Sequence, residues 1–290
     1  MKNDLQTILV TGANGQLGSE LKVISSQFGQ FNFLFTTKEE LAIDDFTAVA
    51  EYFNKHQISY CINCAAYTAV DKAESEKEKA FLINGDAVGG LARICRQHNA
   101  QLIHISTDYV FDGKTNRRYK ETDPIDPIGV YGASKLKGEE LAIRDEPSTI
   151  IIRTSWVYSS FGHNFVKTML RLMKEKESIN VVNDQFGCPT YAADLARVIM
   201  QIILSGKSKD IPGIYHYSNA GITSWYQFAV AIKELTDSPC KVNQIPTSQY
   251  PTPAKRPAYS VMDTSKIQHA FNIMIPGWKE SLQRCLQLIK

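Results

Sequence analysis

The sequence predicts an α/β protein, a doubly wound parallel sheet with a smaller C-terminal lobe. Three observations predict it. Short β-branched runs alternate with longer helical stretches from the first residues, the pattern that joins parallel strands through helices on both faces of a sheet. A glycine-rich turn, Thr11-Gly12-Ala13-Asn14-Gly15-Gln16-Leu17-Gly18, links the first such run to the first helix. The 290 residues, 43% of them hydrophobic, suffice for one large α/β unit with an appended region.

Taken in order, residues 8–11, 33–36, 60–63, 102–106, 150–153 and 179–182 are short and apolar and are expected to be strands. Between them, 17–27, 47–56, 77–98 and 132–143 carry helical apolar spacing and are rich in Ala, Glu and Lys, all compatible with helices. Beyond about residue 155 the alternation loosens into Pro- and aromatic-rich connections, 184–190 and 246–259, with helices expected near 165–176, 193–204, 225–235 and 281–289. No repeat or low-complexity linker separates the parts. Residues 1–155 are therefore assigned to a nucleotide-binding unit, free to regain segments from the second half, and residues 156–290 mainly to a substrate lobe packed on it.

Lys and Arg number 32 against 30 Asp and Glu, a net charge of +2, too balanced for a nucleic-acid footprint. No apolar run approaches the ~20 residues that span a bilayer, so a cytoplasmic protein without a membrane partner is expected. Six cysteines include Cys61-Ile-Asn-Cys64. That pair continues an apolar run and lacks a second Cys or Cys/His pair, whereas structural zinc usually takes four ligands. Buried thiols in a reducing compartment are the expectation, and no metal site is assigned.

The glycine turn carries the first chemical signal. Gly12, Gly15 and Gly18 let the backbone turn sharply and approach a pyrophosphate, and the positive end of the following helix favours the anion. Glycines also serve plain turns, but a strand before and a helix after point to a Rossmann-type dinucleotide site. The second strand ends Phe35-Thr36-Thr37-Lys38, without the carboxylate that would bind a ribose 2′-hydroxyl and repel a 2′-phosphate. NADPH is the expected cofactor, with NADH left open.

The second signal is Tyr131-Gly-Ala-Ser-Lys135 at the start of a helical segment, where four-residue spacing puts a phenol and an ammonium on one face. A phenol of pKa ~10 needs roughly 4 kcal/mol in favour of the phenolate to reach about 7. One ammonium at ~4.5 Å in an effective dielectric of ~20 supplies about 3.7 kcal/mol. In isolation such a pair is more often a surface Tyr and Lys; the preceding glycine turn reverses that preference. Ser106-Thr107-Asp108-Tyr109-Val110-Phe111 ends the fourth strand, at the edge where open α/β sheets bind ligands. Thr107 is assigned to hydrogen-bond a substrate oxygen as it gains charge, against the simpler role of capping the next turn. Ala65, Ala66 and Tyr67 follow the third strand, where small residues let a cofactor lie on the backbone.

Together these residues resemble the extended short-chain dehydrogenase/reductases, and within them the dTDP-4-dehydrorhamnose reductases. The likeness runs nearly end to end. Its more specific part is Thr68-Ala-Val-Asp-Lys-Ala-Glu74, Ser106 to Phe111, Arg153-Thr-Ser-Trp-Val-Tyr158, Asn164-Phe-Val-Lys-Thr-Met169, Asn183-Asp-Gln-Phe-Gly187, Pro189-Thr190 and Arg256-Pro257 with Ser260. The resemblance implies that Gly15, Gln16 and Leu17 touch the cofactor pyrophosphate, with Ala65, Ala66 and Tyr67 nearby, and that Tyr131 and Lys135 also contact nicotinamide and ribose. It implies that Thr107, Asp108 and Trp156 contact a nucleotide-linked sugar, and that Asn183, Gln185, Thr190 and Arg256 face its nucleotide. On the residues alone, Trp156 would be a core aromatic and Arg256 a solvated charge. Where related chains commonly carry Asp after the leucine of Leu41-Ala42-Ile43, this one has Ala42; Ile43 is left to pack on adenine. The implied reaction is reduction of a 4-keto sugar with Tyr131, Lys135 and Thr107 as its catalytic residues. The family also implies a homodimer, sometimes bridged by Mg²⁺, for which no ligand cluster is evident.

Two other readings compete. An epimerase or dehydratase on the same scaffold would regenerate its cofactor each cycle; dehydratases resemble chains with Glu after the Thr-Asp pair, where this one has Tyr109. A non-catalytic regulatory subunit is the other, and retention of Thr107, Tyr131 and Lys135 argues against it.

Overall fold

The computed structural model describes residues 5–289; residues 1–4 and 290, the outer ends of the two expected units, lie outside the described residues. β1 (Gln6–Thr11), α1 (Gln16–Ile24), β2 (Phe31–Thr36), α2 (Phe46–Lys55) and β3 (Ile58–Asn63) alternate as expected. Short helices α3 (Val70–Ala73) and α4 (Lys77–Phe81) lead through a π-helical turn, Leu82–Asp86, into α5 (Ala87–Gln97). β4 (Gln101–Thr107), α6 (Val130–Asp145) and β5 (Ile150–Thr154) complete the first half. The second half contains β6 (Val157–Tyr158), α7 (Phe165–Glu175), β7 (Ser178–Val182), β8 (Phe186–Gly187), β9 (Thr190–Tyr191) and α8 (Ala192–Leu204). It continues with β10 (Gly213–His216), β11 (Thr223–Ser224), α9 (Trp225–Leu235), β12 (Lys241–Ile245), α10 (Ser265–Phe271) and α11 (Trp278–Leu286).

Six strands in the order β10-β5-β4-β3-β1-β2 form one sheet, and every neighbouring pair is parallel. The expected fold class is borne out. Its central strands read as nearly continuous apolar runs because both faces are covered. Leu17 and Leu21 of α1, Leu195 and Ile199 of α8, and Ile267 of α10 close over Ile8, Val10, Ile62 and Ile152 on one face. Val49 and Phe53 of α2, Leu91 and Cys95 of α5, and Ala142 of α6 cover Leu9, Cys61, Leu102 and Ile151 on the other. Fully burying each such Leu or Ile stabilises the fold by about 1.5–3 kcal/mol. A separate core, with Met169, Ile179, Val181, Phe228, Ile232 and Leu282, fills the lobe formed by α7, β7, α9 and α11.

The parallel strands of the first half end on the same side of the sheet, β4 and β5 reaching three residues further than β3. Thr11 stands beside Thr36 and Asn63, Asn63 beside His104, and Thr107 beside Thr154. The residues that can meet a ligand thus share one sheet edge, as in open α/β sheets generally.

Two expectations need correction. Residues 179–182 do form a strand, but β7 pairs with β12 in the lobe rather than entering the main sheet. Its exposure alternates, exposed at Ser178 and Asn180 and buried at Ile179 and Val181, so only one face is covered, whereas β5 is buried at every position. The sixth strand is β10, and with α8 and α10 it returns from the second half to the main sheet. The helix expected over 77–98 is opened by the π-turn. There Asn84, fully buried, accepts the Tyr67 N–H at 2.8 Å and donates to the Tyr67 carbonyl and the Ser134 hydroxyl, each at 3.0 Å. The extra residue in that turn lets Asn84 hold the loop after β3 against α6, a use of π-bulges common near functional sites.

Candidate active site

The turn after β1 is shaped by contacts that exclude a side chain. Gly12 has φ +65°, and a Cβ there would sit 2.7 Å from the Ala65 nitrogen; one at Gly18 would sit 2.5 Å from the Gly12 carbonyl oxygen. The turn is thereby pressed onto the end of β3. Gly15 is the N-cap of α1, with no side chain satisfying the first N–H groups and no acidic residue in the first turn. Such an end favours an anion.

Beside it lies a cavity of about 350 Å³ lined by Gly12, Gly15, Lys38, Ile43, Asp44, Ala65, Ala66 and Tyr67, among others. Six of the expected cofactor residues, Gly12, Gly15, Ile43, Ala65, Ala66 and Tyr67, are brought together here. Leu17 is buried in the core and Gly18 packs on the turn, so only their backbone can serve a ligand. The Gln16 side chain instead joins the two halves, its oxygen accepting from Asn164 at 3.0 Å. Lys38 and Asp44 were not singled out from the sequence. Lys38 closes the carboxylate-free run Phe35-Thr36-Thr37-Lys38, and Asp44 supplies a carboxylate two positions beyond Ala42.

Tyr131 is the second residue of α6 and keeps partial exposure. Its ring meets Tyr109 edge-on at 5.5 Å and packs beside Tyr67 and Ala80. The Thr107 hydroxyl donates to the Asp108 carboxylate at 3.1 Å and accepts the Tyr109 N–H at 3.2 Å. Burial pushes the Tyr131 phenol up to about 12; a hydrogen bond with Thr107 pulls it back and the Asp108 carboxylate pushes it up again. Burial also pushes Asp108, 2% exposed, up to about 6, opposed by neighbours that include the Ser260 and Thr107 hydroxyls. One Asp108 oxygen, Oδ2, has no hydrogen-bond partner.

Lys135 departs from expectation. Instead of drawing the phenol toward 7, it donates from Nζ to the Ile105 carbonyl at 2.7 Å and meets His104 Nε2 at 3.2 Å. Burial pushes its ammonium down to about 8, opposed by Glu139. Burial, the largest cause, decides the sign at Tyr131.

The lobe carries a second cavity, about 640 Å³, whose lining includes Phe165, Val182, Gln185, Trp225, Tyr250 and Arg256. Gln185 and Arg256 are brought together here. Arg256 is already held, donating to Asp71 of α3 at 2.8 and 3.1 Å and to Thr252 at 2.5 Å. Asn183 and Thr190 are placed elsewhere. The Asn183 amide donates to Gln244 across the β7–β12 pair, and Thr190, fully buried, bonds Thr154. Trp156 is half-buried at φ +49°, stacked on Trp225 with ring centroids 3.6 Å apart and backed by Gly187. Trp225 escaped notice because only a fold can stack residues 69 positions apart; its local signal, the capping box of Ser224 and Gln227, reports a helix start and no more.

Among the described residues no three His, Cys, Asp or Glu side chains converge as metal ligands. All six cysteines are free thiols. No described helix is long and apolar enough to cross a membrane.

With this geometry the comparisons with known proteins agree. The RmlD substrate binding domain matches residues 6–290. A dTDP-4-dehydrorhamnose reductase of Aggregatibacter actinomycetemcomitans is 44% identical over 286 residues, covering 95% of this chain and 97% of that protein. The spore coat polysaccharide biosynthesis protein SpsK of Bacillus subtilis is 44% identical over 280 residues, covering 97% and 96%. The crystal structure of dTDP-4-dehydrorhamnose reductase from Bacillus anthracis in complex with NADP superposes with a TM-score of 0.94 at 37% identity, covering 98% of this chain and 99% of that one. The chain belongs to the RmlD substrate binding domain family, that of the dTDP-4-dehydrorhamnose reductases.

Proposed function

We propose that this protein reduces the C4 keto group of dTDP-4-dehydro-β-L-rhamnose to give dTDP-L-rhamnose, with NADPH as reductant. The observation that supports this most is that Tyr131 adjoins residues of both cavities through neighbouring rings. Through Tyr67 it adjoins the one lined by the glycine turn. Through Tyr109, whose charge environment includes Arg256, it adjoins the one in the lobe.

The residues present fit a dinucleotide. Gly12 and Gly15 with the uncapped start of α1 would take the pyrophosphate, Ile43 and Asp44 would flank the adenosine, and the exposed Lys38 would meet a 2′-phosphate. When bound, the nicotinamide supplies the hydride. Tyr131, kept protonated by burial, donates the proton to the sugar oxygen, and Thr107 orients that phenol and hydrogen-bonds the oxygen as its charge grows. Lys135 would hold the ribose and steady the phenolate left behind. Asp108 and Trp156 would bracket the sugar, and Gln185 and Arg256 the nucleotide. A homodimer in the cytoplasm belongs to the same proposal, tested by sedimentation and cell fractionation.

The test follows absorbance at 340 nm with NADPH and enzymatically generated dTDP-4-dehydro-L-rhamnose. One NADPH consumed per sugar, with a product two hydrogens heavier, is the expected result and separates this reading from an epimerase. Tyr131→Phe should lose roughly 10²–10⁴-fold in turnover with NADPH affinity nearly intact; equal turnover would refute the assignment.

A further inference from the structure

Behind Lys135 lies a buried chain of hydrogen bonds that the proposed reaction does not use. The Ala65 backbone N–H donates to Asn63 Oδ1 at 3.1 Å, and the Thr11 hydroxyl donates to the same oxygen at 2.7 Å. A backbone N–H can only donate, so the Asn63 amide has one orientation, with its NH₂ facing His104 Nδ1 at 3.1 Å. The NH₂ group has no acceptor, so Nδ1 must present its lone pair and the ring proton must sit on Nε2. Nε2 in turn lies 3.2 Å from Lys135 Nζ. An ammonium there would set two N–H groups head to head. An uncharged amine has a lone pair to accept from Nε2–H and a hydrogen to give the Ile105 carbonyl at 2.7 Å.

We propose that His104 is a positioning residue for the Tyr131–Lys135 pair: its Nε2–H favours the uncharged amine of Lys135 over the ammonium in the free protein, and the lysine leaves this contact when it is protonated. Thr11, Asn63, His104 and Lys135 are each no more than 2% exposed, so water does not compete for these groups. Burial holds the His104 ring well below the usual histidine range, which agrees with a neutral ring. The charged and titratable groups around the pair come from three other sources. Its own helix brings Tyr131 and Glu139; β5 brings Arg153, bound to Glu139 at 2.6 and 2.9 Å; the turn after β4 brings Asp108. β1 and β3 reach the chain only through the uncharged Thr11 and Asn63. Burial opposes the ammonium and Glu139 favours it, and the balance holds the lysine down at about 8.

The hydrogen-bond assignment stands by itself; its use in proton transfer rests on the reductase reading. Side-chain ¹⁵N NMR of the ligand-free full chain, with the His104 signals assigned by their loss in His104→Asn, is expected to show a bare Nδ1 and a protonated Nε2. A proton on Nδ1 would overturn the proposal whether or not any variant folds. The pH profile of kcat/KM, which reports the free enzyme, supplies the second readout. His104→Asn reaches only the Nδ1 position and loses the donor that favours the amine, so the alkaline limb should rise by about one pH unit. His104→Gln, whose amide reaches the Nε2 position, should bring it back. An unmoved limb in His104→Asn, or an equal shift in both variants, overturns the proposal. If the parent oxidises no NADPH with the sugar nucleotide, the reductase reading fails, and the tautomer spectrum still decides the assignment of His104.

Discussion

Gly187→Ala offers a sharp test of how the lobe presents Trp156. A Cβ at position 187 would lie 2.6 Å from Trp156 Cε2, 2.7 Å from Cζ2 and 2.9 Å from Nε1. Carbon atoms pack best about 3.5–4.0 Å apart, so the indole must retreat by about 1 Å. It cannot retreat freely, because Trp225 is stacked on it with an interplanar angle of 9° and a centroid separation of 3.6 Å. Its backbone, at φ +49°, is already in the left-handed region and offers little further relief. Overpacking of this kind costs about 1–3 kcal/mol of stability. A displacement of about 1 Å in a group that positions substrate can cost about 10²-fold in rate. The substituted protein should therefore lose roughly 10²-fold in kcat/KM for the sugar nucleotide, while its NADPH affinity stays unchanged because the glycine turn lies on the other unit. Tryptophan fluorescence gives an independent check, since two of the three tryptophans form the stack. Parental kcat/KM with a folded protein would refute the role given to the Gly187–Trp156 contact.

Two other predictions concern charge. Lys38→Asp replaces the cation of the cofactor cavity with an anion facing the 2′-phosphate, and should weaken NADPH binding about tenfold with little change for NADH; titration with both cofactors checks it. Asp108 has its pKa raised to about 6 by burial, so its contribution is fully present below its unfolded value near 4 and is lost as pH rises through about 6, at a cost of about 3 kcal/mol. Asp108→Asn should flatten that part of the stability curve, measured by urea unfolding from pH 4 to 7, and an unchanged slope would refute the assignment.

Much of this protein is legible along the chain because its signals are local. The alternation of buried strands and amphipathic helices depends on neighbouring residues, and so do Gly12 and Gly15 between a strand and a helix and the i, i+4 spacing of Tyr131 and Lys135. The misplaced strand shows the limit. Residues 179–182 and 213–216 are both short and apolar, and pairing partner decides which enters the sheet. The alternation of polar Ser178 and Asn180 with apolar Ile179 and Val181 was the available clue, since a strand buried on both faces seldom places Asn and Ser at every second position. Thr190 and Asn183 failed to reach the cavity for a related reason. A motif locates a segment, and the direction of each side chain depends on what the segment packs against.

The sequence by itself determined the fold class, the anion-binding turn, the phenol and lysine of one helical face, and the threonine at the end of β4, because each follows from spacing along one strand, turn or helix. The tertiary structure alone decided the state of those groups. Lys135 faces His104 and a carbonyl because β4 lies under α6, and His104 has a defined tautomer because Asn63 and Ala65, some 40 residues away along the chain, orient one amide. Burial then outweighs the expected attraction between phenol and ammonium. Desolvation depends on every atom packed around a group, and no local pattern of residues records that enclosure.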